Sequence, residues 1–173
     1  MEQTGKLHPG QAFPPLTFKR IDGADYSFGG PGAWQALFVI RGQHCPLCKI
    51  YLTRLEENRA AFEKLGVSIA AVSADSEAQT RITIEASKPG FPMLYGLDVA
   101  TMTRLGLYIS EPRSPQETDH VFAEPALLVV NPAGTLQIVE IANSPAMRPA
   151  LDLLLRGLGV TIERGLPVRG TYR

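Results

Sequence analysis

The feature of this chain that most constrains its fold is a change of hydrophobic period around two cysteines. Residues 36–40 are continuously apolar and rich in strand-forming residues, as in a central strand that is covered on both faces. From Pro46 the apolar residues recur every three or four positions, which predicts an amphipathic helix ending near Gly66. Cys45 and Cys48 lie where this strand passes into this helix.

The rest of the chain continues the alternation of strands and helices. The further predicted elements are a hairpin over 14–28, a strand over 67–72, a helix over 75–87, a short strand at 93–95, a helix over 100–105, a polar loop at 111–120, a hairpin over 126–141 and a helix over 147–158. This order requires an α/β fold, with a central mixed β-sheet and helices on both faces. The 173 residues are enough for one domain and few for two, so we expect a single domain over 1–173.

The charge balance excludes several classes of partner. Seventeen Lys and Arg residues match seventeen Asp and Glu residues, so no field of one sign attracts nucleic acid or an anionic membrane. The first residues lack the apolar stretch of a signal peptide, and no run approaches the ~18 apolar residues of a membrane span. We therefore expect a cytoplasmic protein that binds neither nucleic acid nor a membrane.

The position of Cys45 at the start of a helix predicts a reactive thiol. Unpaired backbone amides and the positive end of the helix dipole favour its thiolate, which is the nucleophile in disulfide exchange and in attack on a peroxide. Cys48, one turn later, should close a disulfide with the oxidised Cys45, and an external reductant must then reopen it. A structural disulfide in so small a ring contributes only about 2 kcal/mol, which favours a reactive pair.

Two alternatives remain for the cysteines. The first is half of a zinc site, although zinc needs four ligands and only three histidines accompany the sulfurs, namely His8, His44 and His120. The second is a pair of inert, buried cysteines. We interpret them as a redox pair that needs no metal and no organic cofactor.

The basic residues near Cys45 are the next candidates for the site. His44 and Arg41 are close to Cys45 in sequence, and His44 either lowers the pKa of the thiol or only shapes the entrance to the site. His8 and His120 fall in predicted loops, for which we expect a surface role.

Two segments give the chain a resemblance to the AhpC/TSA group of peroxiredoxin-like proteins. Residues 38–48 are similar to that group's Arg-Gly-x-Trp-Cys-Pro-x-Cys variant, and residues 124–134 resemble its proline-led strand and turn. The resemblance covers most of the chain and implies a thioredoxin-like fold. It also implies that Pro125 follows a cis peptide bond beside the cysteines and leaves backbone groups free to bind substrate or reductant. The other interpretation of Pro125 is a proline at the start of a strand.

The chain departs from this family at the peroxide-binding positions. Typical members have Pro and Thr or Ser where this chain has Phe38 and Gly42, and an arginine where it has Glu124 or Pro125. Either of two other arginines would have to replace the missing one, Arg41 or Arg113. We expect peroxide reduction to be slower than in typical members, and Gly42→Thr to accelerate it.

Three functions follow from these observations. The first is an antioxidant thiol-dependent peroxidase in which Cys45 attacks a peroxide and Cys48 resolves the product, with Pro125, His44 and Arg41 binding substrate. The second is a thiol–disulfide oxidoreductase acting on protein disulfides, and the third is a redox-sensing module without turnover. Either enzyme needs an external thiol reductant, such as a thioredoxin or glutathione system, and the resemblance is compatible with a homodimer.

Overall fold

Strands and helices alternate along residues 7–172, the part of the chain that the computed structural model describes. The strands are β1 (Leu16–Arg20), β2 (Asp25–Phe28), β3 (Trp34–Val39), β4 (Val67–Val72), β5 (Met93–Tyr95), β6 (Ile109–Ser110), β7 (Phe122–Ala123), β8 (Ala126–Val130) and β9 (Leu136–Ile141). The helices are α1 (Pro46–Glu57), α2 (Arg59–Lys64), α3 (Glu77–Ser87), α4 (Val99–Arg104) and α5 (Leu151–Arg164).

Seven strands form one mixed sheet in the order β2-β1-β5-β4-β3-β8-β9. The central strands β3, β4 and β5 are parallel, whereas β8 pairs antiparallel with β3, and β9 antiparallel with β8. Because the carboxyl ends of parallel strands meet at one edge of the sheet, the loops that follow β3 and β4 lie side by side. The first of these loops leads to Cys45 and the second contains Asp75.

Both faces of the sheet are covered, as the continuous apolar strands predict. Phe38 of β3 packs with side chains of α1, α2 and α5 on one face, whereas its neighbours Leu37 and Val39 pack with α4 and the N-terminal segment on the other. The strand alternation therefore divides the core into two layers. Within residues 7–172, no helix combines the length and apolar character that a membrane span requires.

The structure confirms the predicted mixed sheet and corrects the bounds of two helices. The helix predicted from Pro46 to Gly66 breaks at Asn58, whose side-chain amide donates to the carbonyl of Arg54 at 2.8 Å and so competes with the helical backbone. The last helix begins at Leu151, not Met147, because a residue that precedes a proline is disfavoured in helical conformation and Pro149 follows Arg148.

The expected cis bond before Pro125 is wrong. The described residues contain no cis peptide bond, so the Glu124–Pro125 bond is trans. Pro125 directly precedes β8, where the lack of an N–H removes no hydrogen bond between strands of the sheet. Its carbonyl accepts the N–H of Ala142 at 2.9 Å. The alternative interpretation, a proline at the start of a strand, describes this position.

Candidate active site

Cys45 caps the N-terminus of α1, as the sequence predicts. Its backbone is extended, Pro46 occupies the first helical turn, and its sulfur accepts the backbone N–H of Cys48 at 3.2 Å. The N–H of Cys45 in turn donates to the carbonyl of Gly42 at 3.0 Å, which closes the loop that enters the helix. Neither cysteine forms a disulfide.

The two sulfurs have opposite tendencies to ionise. The Cys48 thiol donates a hydrogen bond to the sulfur of Cys45. This bond lowers the pKa of Cys45 to about 6, together with the N–H of Cys48 and the charges of Arg148 and Arg41, although burial alone would raise that pKa. Burial and the same thiol–thiolate bond raise the pKa of Cys48. The negative charge of the reduced pair is therefore favoured on Cys45 over Cys48.

Arg148 reaches the pair from a distant part of the chain. Its Nη2 donates to the sulfur of Cys48 at 2.8 Å. Arg148 is not among the expected site residues, because position 148 falls in the helix predicted over 147–158. The two prolines around it, Pro145 and Pro149, were a signal that the segment is not helical, but nothing in the sequence indicates what its side chain contacts.

Arg41 lies in a small network of buried carboxylates. Its Nε is 3.4 Å from Oε2 of Glu124, and its Nη2 is 3.6 Å from Oε1 of Glu117. The guanidinium also stacks over the ring of Phe122, 4.7 Å from its centroid. Glu124, one of the two residues matched to the family's arginine, is therefore the ion-pair partner of a different arginine. Arg113, the other candidate replacement, is 85% exposed and pairs with Glu117 at 3.0 Å.

His44 is close to the cysteines but does not supply charge to them. Its ring packs on Phe122 with 4.5 Å between centroids, and neither ring nitrogen has a hydrogen-bond partner among the described residues. Burial, followed by the charge of Arg41, lowers the pKa of His44 to about 4. Since the ring is then neutral at pH 7, His44 does not lower the pKa of Cys45 by its charge, and its other role, shaping the entrance, stays a prediction.

Asp75 supports the loop that precedes Cys45. Its buried carboxylate accepts the N–H of Gln43 at 2.7 Å and lies 3.3 Å from Nε2 of His120. Burial raises the pKa of Asp75. The surface role expected for His120 is therefore wrong, since His120 helps to join the 111–121 loop to the active-site loop.

The same carboxylate explains the glycine at position 42. Gly42 has a φ of +132°, and a Cβ atom there would lie 2.4 Å from Oδ1 of Asp75. This conformation and this contact both exclude a side chain. The expectation that Gly42→Thr would improve the site is therefore not supported, because a threonine cannot occupy the position without moving Asp75.

The cysteine pair is covered on the outside. Cys45 is 1% exposed and Cys48 is fully buried, whereas Leu47 and Ile50 of the same helix face solvent. Pro125 lines a narrow crevice together with Tyr51, Met147 and Arg148, and its role in binding substrate stays a prediction. Among residues 7–172, no cluster of His, Cys, Asp or Glu has the arrangement of a metal site.

Comparison with known proteins identifies the family and supports the fold. The sequence matches the AhpC/TSA family over residues 9–139, and no curated protein is significantly similar to it. A peroxiredoxin-like protein from Aquifex aeolicus has a similar structure, with a TM-score of 0.73 and 18% identity over 89% of this chain and 87% of the other. The reduced 2-Cys peroxiredoxin of Plasmodium vivax has a TM-score of 0.72 and 13% identity, over 91% of this chain and 98% of the other. Reduced Prx3 from Vibrio vulnificus has a TM-score of 0.71 and 18% identity, over 88% of this chain and 99% of the other.

Proposed function

Because the chain belongs to the AhpC/TSA family, we propose that it is a thiol-dependent peroxidase in which Cys45 attacks a small hydroperoxide and Cys48 resolves the product. The observation that carries this proposal is the sulfur of Cys45 at the N-terminus of α1, where it accepts the N–H of Cys48 and has a pKa of about 6. A thiolate in this position is available at neutral pH.

The reaction consumes two thiols for each peroxide. The Cys45 thiolate attacks one peroxide oxygen, so that an S–O bond forms, the O–O bond breaks and the leaving oxygen departs as an alcohol or water after taking up a proton. Cys48 then attacks the sulfur of the resulting sulfenic acid; the S–S bond forms, the S–O bond breaks and water leaves. An external dithiol reduces the Cys45–Cys48 disulfide by exchange and completes the cycle.

The burial of both sulfurs favours a small oxidant. A hydroperoxide needs to bring only two bonded oxygens to Cys45, whereas the disulfide of a folded protein must bring its own backbone to a sulfur that is 1% exposed. The structural neighbour from Vibrio vulnificus was crystallised in its reduced form in complex with H2O2, which supports the same class of substrate.

One observation favours the second candidate, a thiol–disulfide oxidoreductase. Breaking an O–O bond is fastest when preorganised donors stabilise the leaving oxygen, and loss of one such donor typically costs about 10²–10³ in rate. Here Arg41 is engaged by Glu117 and Glu124, and position 42 has no hydroxyl group. Disulfide exchange needs less of this help, because its leaving thiolate is stable by itself.

Two assays on the reduced protein separate these candidates. In a stopped-flow experiment, the reduced protein competes with a haem peroxidase for hydrogen peroxide. We expect the oxidation rate of Cys45 to exceed that of free cysteine. Insulin reduction under the same thiol reductant should remain slow. Rapid insulin turnover with peroxide oxidation no faster than that of free cysteine would reject the peroxidase in favour of the oxidoreductase, and inactivity in both assays would favour the redox-sensing module.

A further inference from the structure

The sulfur of the resolving cysteine has a cationic partner of its own. Nη2 of Arg148 lies 2.8 Å from Sγ of Cys48, at hydrogen-bonding distance for a nitrogen donor and a sulfur acceptor. The two residues are 100 positions apart in the chain. The contact therefore depends on how the segment between β9 and α5 folds over the first turns of α1.

Several contacts hold the guanidinium in this place. Nε of Arg148 donates to the carbonyl of Pro145 at 3.1 Å, and the guanidinium stacks over the ring of Tyr51, 5.2 Å from its centroid. The hydroxyl of Tyr51 donates to the carbonyl of Pro149 at 3.0 Å, which joins the segment to α1. Among residues 7–172, Arg148 forms no ion pair with a carboxylate. Its charge is thus directed at the sulfur by a prearranged set of contacts.

The first chemical step changes what Cys48 must do. In the reduced pair, Arg148 donates to Cys48 and the Cys48 thiol donates to the Cys45 thiolate. Once Cys45 is a sulfenic acid or part of a mixed disulfide, it no longer carries the negative charge that accepted the hydrogen bond of the Cys48 thiol. Cys48 must then release its proton to solvent and attack as the thiolate, although burial disfavours that thiolate. The group placed to stabilise this new charge is Arg148.

We propose that Arg148 is a catalytic residue of the resolving step, in which its guanidinium stabilises the Cys48 thiolate as that thiolate attacks the sulfur of Cys45. The charge of the Cys45 thiolate departs with the leaving group of the first step. The Cys48 thiolate then carries a negative charge until it attacks, and hydroxide or the second leaving thiolate removes that charge when the disulfide forms. This role rests on the proposed function for its physiological oxidant, but it applies equally to a mixed disulfide on Cys45.

A two-step disulfide reagent tests the role without a peroxide. With 4,4′-dithiodipyridine, the Cys45 thiolate displaces one thiopyridone and forms a mixed disulfide; Cys48 then attacks the Cys45 sulfur and displaces the second. At pH 8, where Cys45 stays largely ionised even without the charge of Arg148, we expect Arg148→Met to keep the first release within about threefold of wild type. The second release should slow at least about tenfold, the scale of a hydrogen bond to a charged group. Arg148→Lys should recover much of the second rate, since it retains a cation.

Two controls make the result specific. Arg156→Met removes an exposed arginine of α5 and should change neither release, and Cys48→Ser should give the first release only. Equal slowing of both releases by Arg148→Met, or an unchanged second release, would overturn the proposal. If wild type reacted with dithiodipyridine but not with peroxides, the proposed function would fail while the role of Arg148 was still decided.

Discussion

Two arginines lie near the cysteine pair, and they differ in what neutralises them. Arg41 comes from the loop after β3, is stacked over Phe122 and has the carboxylates of Glu117 and Glu124 within 3.6 Å. Arg148 comes from the loop after β9, is stacked over Tyr51 and donates to the sulfur of Cys48 at 2.8 Å. Both charges lower the pKa of Cys45, and that of Arg148 has the larger effect.

The difference shows how similar side chains near one site acquire separate tasks. A buried cation needs an anionic partner, because an unpaired buried charge is strongly destabilising. Arg41 has two carboxylates for this purpose, so it joins β7 and the 111–121 loop to the strand end. Arg148 has the sulfur pair, so its charge remains coupled to the redox state. We therefore expect substitutions around Arg41 to affect mainly stability, and those around Arg148 to affect mainly chemistry.

The largest expected effect distinguishes the two sulfurs themselves. Cys45→Ser should abolish turnover, because the sulfur at the helix terminus is the nucleophile. Cys48→Ser should leave one round of reaction and trap a sulfenic acid on Cys45. Mass spectrometry with a sulfenic acid reagent measures the trapped species after one equivalent of peroxide. A trapped adduct on Cys48 in the Cys45→Ser protein would show that we have reversed the two roles.

The contrast between the arginines also marks what the sequence could predict. The strand-to-helix position of Cys45 depends on local periodicity and spacing, so the sequence predicts it well. The contact of Arg148 with Cys48 and that of Glu124 with Arg41 join residues from different elements across the fold. Their identification requires the packing of loops around the sheet edge, which no local pattern encodes. Gly42 is intermediate, since the sequence shows the missing hydroxyl but not the carboxylate of Asp75 beside it.

The second prediction concerns pH. Because the pKa of Cys45 is lowered from 9.0 to about 6, its oxidation rate should fall about tenfold per unit below pH 6 and level off above pH 7. Between pH 6 and pH 9 the folded protein has lost this proton and the unfolded chain has kept it. The free energy of unfolding should therefore rise with pH in this window and lose that contribution as the pH falls through 6.

The measurement pairs stopped-flow oxidation with urea unfolding of the reduced protein, and Cys45→Ser is the reference for unfolding. A rate that changes with a midpoint near pH 9 would mean that neither the hydrogen bonds from Cys48 nor the two arginines activate the thiol in solution.

The third prediction concerns an attempt to repair the site beside Arg41. Gly42→Thr should lower the free energy of unfolding by more than about 1 kcal/mol and should not accelerate peroxide oxidation, because its Cβ meets the carboxylate of Asp75. Gly32→Thr is a matched control: Gly32 has a φ of +134°, close to that of Gly42, and an added Cβ there would meet no atom within 4 Å beyond its chain neighbours. The difference between the two variants in urea unfolding isolates the collision from the backbone strain. A faster peroxide reaction in a stable Gly42→Thr protein would contradict our account of this glycine.

A fourth, smaller change makes Arg41 more like Arg148. Glu124→Gln removes one of the two carboxylates beside Arg41 but keeps the hydrogen-bonding shape that receives the hydroxyl of Ser110 at 2.7 Å. We expect Cys45 to be oxidised a few-fold faster below neutral pH, because more of the positive charge acts on its thiolate. The free energy of unfolding should fall by roughly 1 kcal/mol, since Arg41 retains Glu117. The control is Glu111→Gln, at an exposed position. A slower reaction would show that Glu124 orients Arg41 and does not merely neutralise it.

The smallest expected effect is at Arg113, the arginine that the sequence offered as an alternative to Arg41. Its guanidinium is 85% exposed and forms a surface ion pair with Glu117, an interaction that solvent and salt weaken. Glu117 also accepts the backbone N–H of Arg113 at 2.7 Å, and Arg113→Gln leaves this bond in place. The oxidation rate of Cys45 should therefore stay within about twofold of wild type, and the melting temperature within about 2 °C. The oxidation rate of Cys45 could instead fall further in Arg113→Gln, with high salt causing the same fall in the wild type. This result would show that Arg113 positions Glu117, and that the charge balance around Arg41 extends to the protein surface.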